Sequence, residues 1–217
     1  MSQPVPIGPF GEMLTPAERQ ELLTLSRPTS YRRGEVLFRE DDVTKHAILI
    51  DRGSVKIVRR RPDGADLILA VRGANDLIGE MAAIDGSPRS AGAVAVGQVD
   101  AYVIEAQTFE SFVRSHDNVG WMLIRSMAER QRDADQRRLD QVSASVAHRV
   151  AVELLDMADR DVALEPDGFV LSQTELAETV GATREAVSKA LGELRRRGAI
   201  ETSRRRMKIL DRAKLVF

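Results

Sequence analysis

The sequence predicts an α+β fold with a jelly-roll-like β-roll at the N-terminus, a long central helix and a small helical domain with a β-wing at the C-terminus. Three observations predict it. Short apolar runs separated by turn residues fill residues 31–104, a helical pattern without proline covers residues 118–142, and two short helices flank Gly181. A chain of 217 residues is long enough for two small cores. We expect the domain boundaries at residues 1–116, 117–144 and 145–217.

The first part of the chain opens with a short helix and continues as strands. Thr15 is the expected N-cap of a helix within residues 12–26, and Glu18 completes a capping box. Apolar runs follow at residues 36–38, 47–50, 55–58 and 67–71. Glycine-containing turns separate them, and Asp63-Gly64 is the strongest hairpin signal. Short strands at this spacing are typical of a β-sandwich or barrel.

The central helix has an apolar face that must be buried against another element. Val119, Leu123 and Met127 lie on one side of its first half, whereas residues 130–138 are almost wholly polar. Such a helix is too long and too exposed to be stable alone, so a helix of a second copy is expected to cover it. The alternative is a surface helix packed on its own domain. Residues 143–145 resemble a hinge before another helix at residues 146–158.

The C-terminal region contains a helix-turn-helix pattern. Ser172 and Glu175 form a capping box, Gly181 breaks the first helix, and Thr183 caps a second helix over residues 184–197. Gly198 ends the second helix. Two strands at residues 199–202 and 207–210 then flank a basic turn, which is the pattern of a β-wing.

The distribution of charge favours DNA as the partner of this region. The formal net charge of −1 argues against nucleic acid, but residues 168–217 hold eleven basic and six acidic residues. An arginine can bind guanine and a glutamate can accept from cytosine. The alternative is a solvated basic face. The residues expected to contact DNA, through bases or phosphates, are Ser172, Gln173, Thr183, Arg184, Glu185, Ser188, Lys189, Arg205 and Arg206.

A second informative stretch, IGEMAAIDGSPRSA at residues 78–91, has the groups that a cyclic phosphate needs. These are a cation and backbone N–H donors in a short glycine-containing turn. The stretch resembles the phosphate-binding cassette of cyclic-nucleotide-binding domains. Nearly the whole chain resembles the Crp/Fnr family of transcription regulators, in the order β-roll, dimerisation helix and winged helix-turn-helix.

The resemblance implies an effector pocket for cAMP or cGMP. Arg89 would bind the phosphate, Ser90 would donate to it, and Glu80 would accept from the ribose 2′-OH. In cAMP-responsive members a Thr-Ser pair contacts the adenine, but Ala134 and Asp135 stand at about those positions here. The pocket therefore binds another cyclic nucleotide, binds cAMP differently or binds nothing. The implied ligand-binding residues are Gly79, Glu80, Met81, Arg89, Ser90, Ala134 and Asp135.

The resemblance also implies partners and a location. It implies a homodimer on a palindromic double-stranded operator with TGTGA-like half-sites and RNA polymerase as a partner. The N-terminus lacks a signal-peptide pattern and no apolar run approaches the roughly 20 residues of a membrane span, so we expect a cytoplasmic protein and no membrane partner. Lys189 replaces a common arginine, which relaxes recognition there because the bidentate fork is lost. Asp41 replaces a common glycine and is expected to tolerate a left-handed turn.

Two other classes of function compete with an effector-controlled regulator. An enzyme is not expected, because the chain has no Walker loop, nucleophile elbow or metal-spaced histidine cluster. No obligatory cofactor is expected, and the lack of cysteine excludes a thiolate zinc site and a cysteine-ligated cluster. A ligand-independent DNA-binding regulator with a degenerate pocket remains the main alternative.

Overall fold

The computed structural model describes residues 8–61, 66–159, 164–165, 168–169, 171–203 and 206–215. The predicted hairpin Asp63-Gly64 and the tip of the wing therefore lie outside the described residues. The helices are α1 (Phe10–Met13), α2 (Pro16–Thr24), α3 (Glu80–Asp85), α4 (Ala106–Ser115), α5 (Val119–Ser143), α6 (Val146–Asp159), α7 (Gln173–Val180) and α8 (Arg184–Arg196), followed by a 3₁₀ turn at Arg212–Leu215. The strands are β1 (Arg27–Tyr31), β2 (Val36–Phe38), β3 (His46–Arg52), β4 (Val55–Arg60), β5 (Asp66–Arg72), β6 (Leu77–Ile78), β7 (Gly92–Ala95), β8 (Val99–Glu105), β9 (Leu164–Glu165), β10 (Gly168–Phe169), β11 (Ile200–Ser203) and β12 (Arg206–Ile209). The predicted α+β fold is confirmed.

The β-roll is a sandwich of two four-stranded antiparallel sheets. One sheet has the order β1-β8-β3-β6 and the other the order β2-β7-β4-β5. Successive side chains of a strand point to opposite faces, and β3 uses both faces for burial. Ile48 and Ile50 pack between the sheets, whereas Ala47 and Leu49 pack against helices on the outside of the first sheet.

Helices close the outer face of the first sheet. Phe10 of α1 and Phe109 and Phe112 of α4 are fully buried there, together with the start of α5. The predicted capping box is present at the start of α2, because Thr15 Oγ1 accepts from the backbone N–H of Glu18. This cluster fixes α5 on the β-roll and so determines where the rest of that helix points.

The long helix α5 has two different apolar sides. Val119 and Leu123 are buried in the chain's own core, so the prediction that they form part of a dimer stripe is wrong. The exposed stripe instead contains Trp121 and Ile124, whose residues are 63% and 56% exposed, and it ends at Val142 with 90% exposure. Spacings of three and four residues connect Trp121, Ile124, Ala128, Gln131, Asp135, Arg138 and Val142. This is the a/d spacing of a two-stranded coiled coil.

The C-terminal domain consists of α6–α8 and a small sheet with the order β11-β12-β10-β9. Both predicted caps are present: Ser172 forms its capping box with Glu175, and Thr183 accepts from Ala186 N. Gly181 ends α7 with φ 63, a left-handed conformation that glycine adopts without a steric penalty. Val187, Ala190, Leu191 and Leu194 of α8 are buried, so its opposite face is turned to solvent.

The two domains share one hydrophobic cluster. Val58, Ile68 and Val71, on the outer face of the second sheet, pack in the same cluster as the helices of the C-terminal domain. Lys56 of that face binds Glu175 at 3.0 Å. Burial raises the pKa of Glu175, but the Ser172 backbone N–H and Lys56 outweigh it and hold the pKa below its ordinary value. The second sheet thus supports α7 directly.

Within the described residues, no helix combines the length and apolar character needed to cross a membrane.

Candidate effector cavity and DNA-reading surface

A cavity of about 510 Å³ lies between the cassette of residues 78–91, the strands β4 and β5, and the helix α5. This volume falls within the range of pockets that hold small organic ligands. Six of the seven sequence-predicted ligand residues line it, namely Gly79, Glu80, Met81, Arg89, Ser90 and Ala134. The structure therefore brings residues from two distant parts of the sequence around one space.

Arg89 holds the cassette together. It is 2% exposed, and its Nη1 and Nη2 each donate to a backbone carbonyl at 2.7 Å, those of Gly79 and His46. Nε donates to Thr44 Oγ1 at 3.3 Å, and the guanidinium lies 4.3 Å from the centre of the Phe38 ring. Burial lowers the pKa of Arg89, and the nearby carboxylates of Asp42 and Glu80 oppose this effect. A guanidinium has five N–H donors, and these bonds use three of them.

Gly79 is required by its surroundings. Its φ of 72 is left-handed, and a Cβ on it would lie 2.4 Å from Nη1 of Arg89. The resemblance implies that Gly79 binds the ligand, and in the structure the group that approaches this glycine closely is the arginine of the same cassette.

Glu80 begins α3 and is paired with a residue that the sequence analysis missed. Arg130 of α5 donates from Nη1 to Glu80 Oε1 at 2.8 Å and from Nη2 to the Leu77 carbonyl at 2.6 Å. Asp76 lies 3.5 Å from the same guanidinium. Arg130 thus fastens the long helix to the cassette, and it also lines the cavity.

The polar half of α5 supplies one wall of the cavity. Arg130, Ala134 and Arg137 follow one another at spacings of four and three residues and share one face of the helix. Because Ala134 is predicted to face the ligand, the residues four positions before it and three positions after it, Arg130 and Arg137, could have been predicted on the same face of the helix. Asp135 lies outside this lining and pairs with Gln131 and Arg138 on the exposed stripe, while Asp133 faces the cavity.

The turn opposite the cassette has the conformation expected for it. Asp41 adopts φ 65, so an aspartate does occupy a left-handed position here. Its backbone N–H donates to the Arg89 carbonyl at 2.9 Å, and the Arg89 N–H donates to the Asp42 carbonyl at 2.9 Å. This pairing aligns the cassette with the turn before β3.

The face of α8 opposite the core forms the candidate DNA-reading surface. Arg184, Glu185, Ser188 and Lys189 are all exposed, as are Ser172, Gln173 and Thr183 near the helix N-termini. Arg195 donates to Thr202 Oγ1 at 3.2 Å and ties α8 to the wing. Of the two predicted wing residues, Arg206 is half-buried at the start of β12, and Arg205 lies outside the described residues. The exposed face and the N-terminal turns match the geometry by which such helices enter the major groove.

A β-roll with a ligand-sized cavity, joined by a long helix to a winged helix-turn-helix, defines a class of DNA-binding transcription regulators. Two family models match the chain, the cyclic nucleotide-binding domain over residues 28–116 and the Crp-like helix-turn-helix domain over residues 148–216. The chain belongs to the Crp/Fnr family of transcription regulators. Its function is accordingly that of a DNA-binding regulator, and its relatives are regulators rather than enzymes.

Several relatives are similar over most of their length. The chain is 32% identical over 193 residues to a CRP-like cAMP-activated global transcriptional regulator of Mycobacterium tuberculosis, covering 87% of this chain and 86% of that protein. It is 30% identical to the cyclic AMP receptor protein of Thermus thermophilus, covering 88% of each. The solved catabolite activator protein of Thermus thermophilus is 29% identical, covers 96% of each chain and has a TM-score of 0.55. The solved structure of FixK2 from Bradyrhizobium japonicum shows the shared fold. It is 24% identical, has a TM-score of 0.74 and covers 88% of this chain and 95% of that chain.

Proposed function

We propose that this chain is a homodimeric regulator whose affinity for DNA is controlled by a cyclic nucleotide, cAMP or cGMP, in the cavity between the cassette and α5. The observation that carries the proposal is the cavity of about 510 Å³, which is lined by the cassette on one side and by the helix leading to the DNA-binding domain on the other. A ligand there touches both parts at once. It can therefore favour one arrangement of the two, provided that it binds that arrangement more tightly.

The lining supports one orientation of the nucleotide. We assign Arg89 and Ser90 to the cyclic phosphate and Glu80 to the ribose hydroxyl, and this assignment is supported by the position of all three on the cassette side of the cavity. The base then points toward Ala134 on α5. In a parallel dimer Asp135 lies on the seam between the helices, where its carboxylate can accept from an amino group of a base bound to either protomer.

The dimer is supported by the exposed stripe of α5. Trp121 and Ile124 have no cover in the single chain, and an apolar cavity of about 450 Å³ opens beside Ile124 and Met127. A second α5 packed along the stripe buries these side chains. A palindromic operator with TGTGA-like half-sites needs two recognition helices about 34 Å apart, which only a dimer can supply. Such a dimer acts in the cytoplasm, with RNA polymerase as its expected partner.

The dimer has a direct test. Ile124→Lys should convert the protein from dimer to monomer in sedimentation equilibrium, because it places two unpaired ammonium groups in the seam. Gln136→Lys adds the same charge to the same helix off the stripe and should leave the dimer intact. A wild-type chain that sediments as a monomer, or an Ile124→Lys chain that sediments as a dimer, would show that another surface or no surface is used.

A second candidate function rests on a specific observation. Arg89 and Glu80 are already bonded to protein groups, so the cassette is held together without a ligand. A regulator that binds DNA without an effector is compatible with such a cassette. Titration separates the two candidates.

The deciding experiment is calorimetric titration of the purified protein with cAMP and with cGMP. Saturable binding that Ala134→Leu weakens, by filling the base end of the cavity, supports an effector-controlled regulator. Absence of heat with both nucleotides, confirmed by equilibrium dialysis, supports the ligand-independent regulator. The DNA-binding function stands in either case, because it depends on the C-terminal domain.

A further inference from the structure

Arg137 of α5 contacts three separate parts of the molecule. It lines the effector cavity and its side chain is 29% exposed. Its Nη1 donates to the carbonyl of Leu69 at 3.1 Å. Leu69 is the extra residue of a β-bulge in β5, between the pairs Ile57↔Ala70 and Val58↔Ile68. Since a bulged residue is left out of the ladder, its carbonyl is available to a side chain.

The other end of the guanidinium binds the DNA-binding domain. Nη2 lies 3.4 Å from Glu153 Oε2 and 3.5 Å from Asp156 Oδ2, both on α6. The Glu153 side chain is only 8% exposed. A carboxylate with so little water around it depends strongly on a nearby cation, so loss of Arg137 changes the environment of α6.

A second, smaller cavity lies on the far side of Arg137. Its volume is about 130 Å³, and it lies between the last turns of α5 and the helices α6 and α7. Asp133 and Arg137 belong to the linings of both cavities. The guanidinium therefore lies between the effector cavity and the smaller cavity, and each cavity leaves space into which the side chain can move.

We propose that Arg137 transmits occupancy of the effector cavity to the DNA-binding domain, by exchanging its bonds to α6 for bonds to a bound nucleotide. The proposal rests on the proposed function, because it assigns a route of control to the same cavity. The ring nitrogens of adenine or guanine, and the carbonyl oxygen of guanine, are acceptors that compete with Glu153 and Asp156 for one guanidinium. When the ligand binds Arg137, α6 loses one of its contacts with α5, which shifts the balance between arrangements of the C-terminal domain.

The matched comparison uses two arginines of α5. Arg137→Met removes the bonds to α6, whereas Arg132→Met removes the same charge from an exposed side chain that lies off the stripe and outside the lining of both cavities. Glu153→Gln weakens the attraction from the other side, at a residue outside the effector cavity. DNA affinity is measured by fluorescence anisotropy on a duplex with two inverted TGTGA half-sites, with and without saturating cyclic nucleotide.

The expected result is a loss of coupling without a loss of binding. The ratio of DNA affinities with and without nucleotide should fall by about fivefold or more toward one in Arg137→Met and Glu153→Gln, and stay at the wild-type value in Arg132→Met. The nucleotide affinity of Glu153→Gln should be unchanged or higher, because the competitor for Arg137 is weakened. A wild-type ratio in both Arg137→Met and Glu153→Gln would overturn the proposal.

A second measurement separates this inference from the proposed function. Without any nucleotide, Arg137→Met should speed amide hydrogen exchange in α6 several-fold relative to Arg132→Met, because the helix loses one of its links to α5. If wild-type protein binds neither nucleotide, the proposed control by cAMP or cGMP fails, and the exchange result alone then decides whether Arg137 restrains α6. Unchanged exchange in α6 would show that it does not.

Discussion

Arg89→Met is expected to abolish cyclic-nucleotide binding and to destabilise the β-roll at the same time. The variant leaves the carbonyls of Gly79 and His46 without their charged donor in a site that is 2% exposed. Hydrogen bonds to charged groups contribute about 1.5–3 kcal/mol each, so we expect the free energy of unfolding to fall by about 3 kcal/mol. The dissociation constant for nucleotide should rise by about 100-fold or more, since the cation for the phosphate is lost.

Urea denaturation and calorimetric titration measure the two effects separately. Arg114→Met is the control, because Arg114 pairs with Glu110 on the exposed side of α4 and its loss should change stability by less than about 0.5 kcal/mol. Titration is done at a temperature where circular dichroism shows both variants folded. Nucleotide affinity at the wild-type level in folded Arg89→Met would remove Arg89 from the ligand site and leave it a purely structural residue.

Arg184→Ala is expected to reduce DNA affinity in a sequence-selective way. Arg184 is exposed in the first turn of α8, the part of a recognition helix that reaches base edges. Loss of a bidentate contact to guanine should cost about 1–3 kcal/mol on the preferred duplex and much less on duplexes altered at that base pair. Binding is measured by anisotropy on a TGTGA inverted repeat and on a set with each half-site position changed.

Arg196→Ala provides the contrast. Arg196 lies at the exposed C-terminal end of α8, where a phosphate contact is expected. Its loss should weaken all duplexes alike and lower the slope of log affinity against log salt by about one. If Arg184→Ala also weakened every duplex by the same factor, Arg184 would be a phosphate contact and the base-reading assignment would be wrong.

Local features of this chain could be predicted well from its sequence. The capping boxes at Thr15 and Ser172, the cap at Thr183 and the left-handed Asp41 all depend on residues within a few positions of one another. The four apolar runs predicted as strands correspond to β2–β5. Short-range chemistry decides each of these features, so it can be recognised before the fold is known.

Contacts between distant segments could not be predicted in the same way. Strand β1 has no apolar run of its own, and it forms because β8 supplies a partner strand. The bond between Arg130 and Glu80 spans 50 positions, and the burial of Val119 and Leu123 depends on packing with α1, α2 and α4. In a polar helix such as the second half of α5, the sequence alone does not decide which arginines turn inward.

The hydrophobic cluster shared by the second sheet and the C-terminal helices bears on how the protein unfolds. Because Val58, Ile68 and Val71 are covered by the DNA-binding domain, one of the hydrophobic clusters extends across the hinge. Heat or denaturant should therefore melt both domains in one cooperative transition rather than in two. A fragment that stops at the hinge would expose an apolar sheet face that the whole chain keeps covered, and it would tend to aggregate.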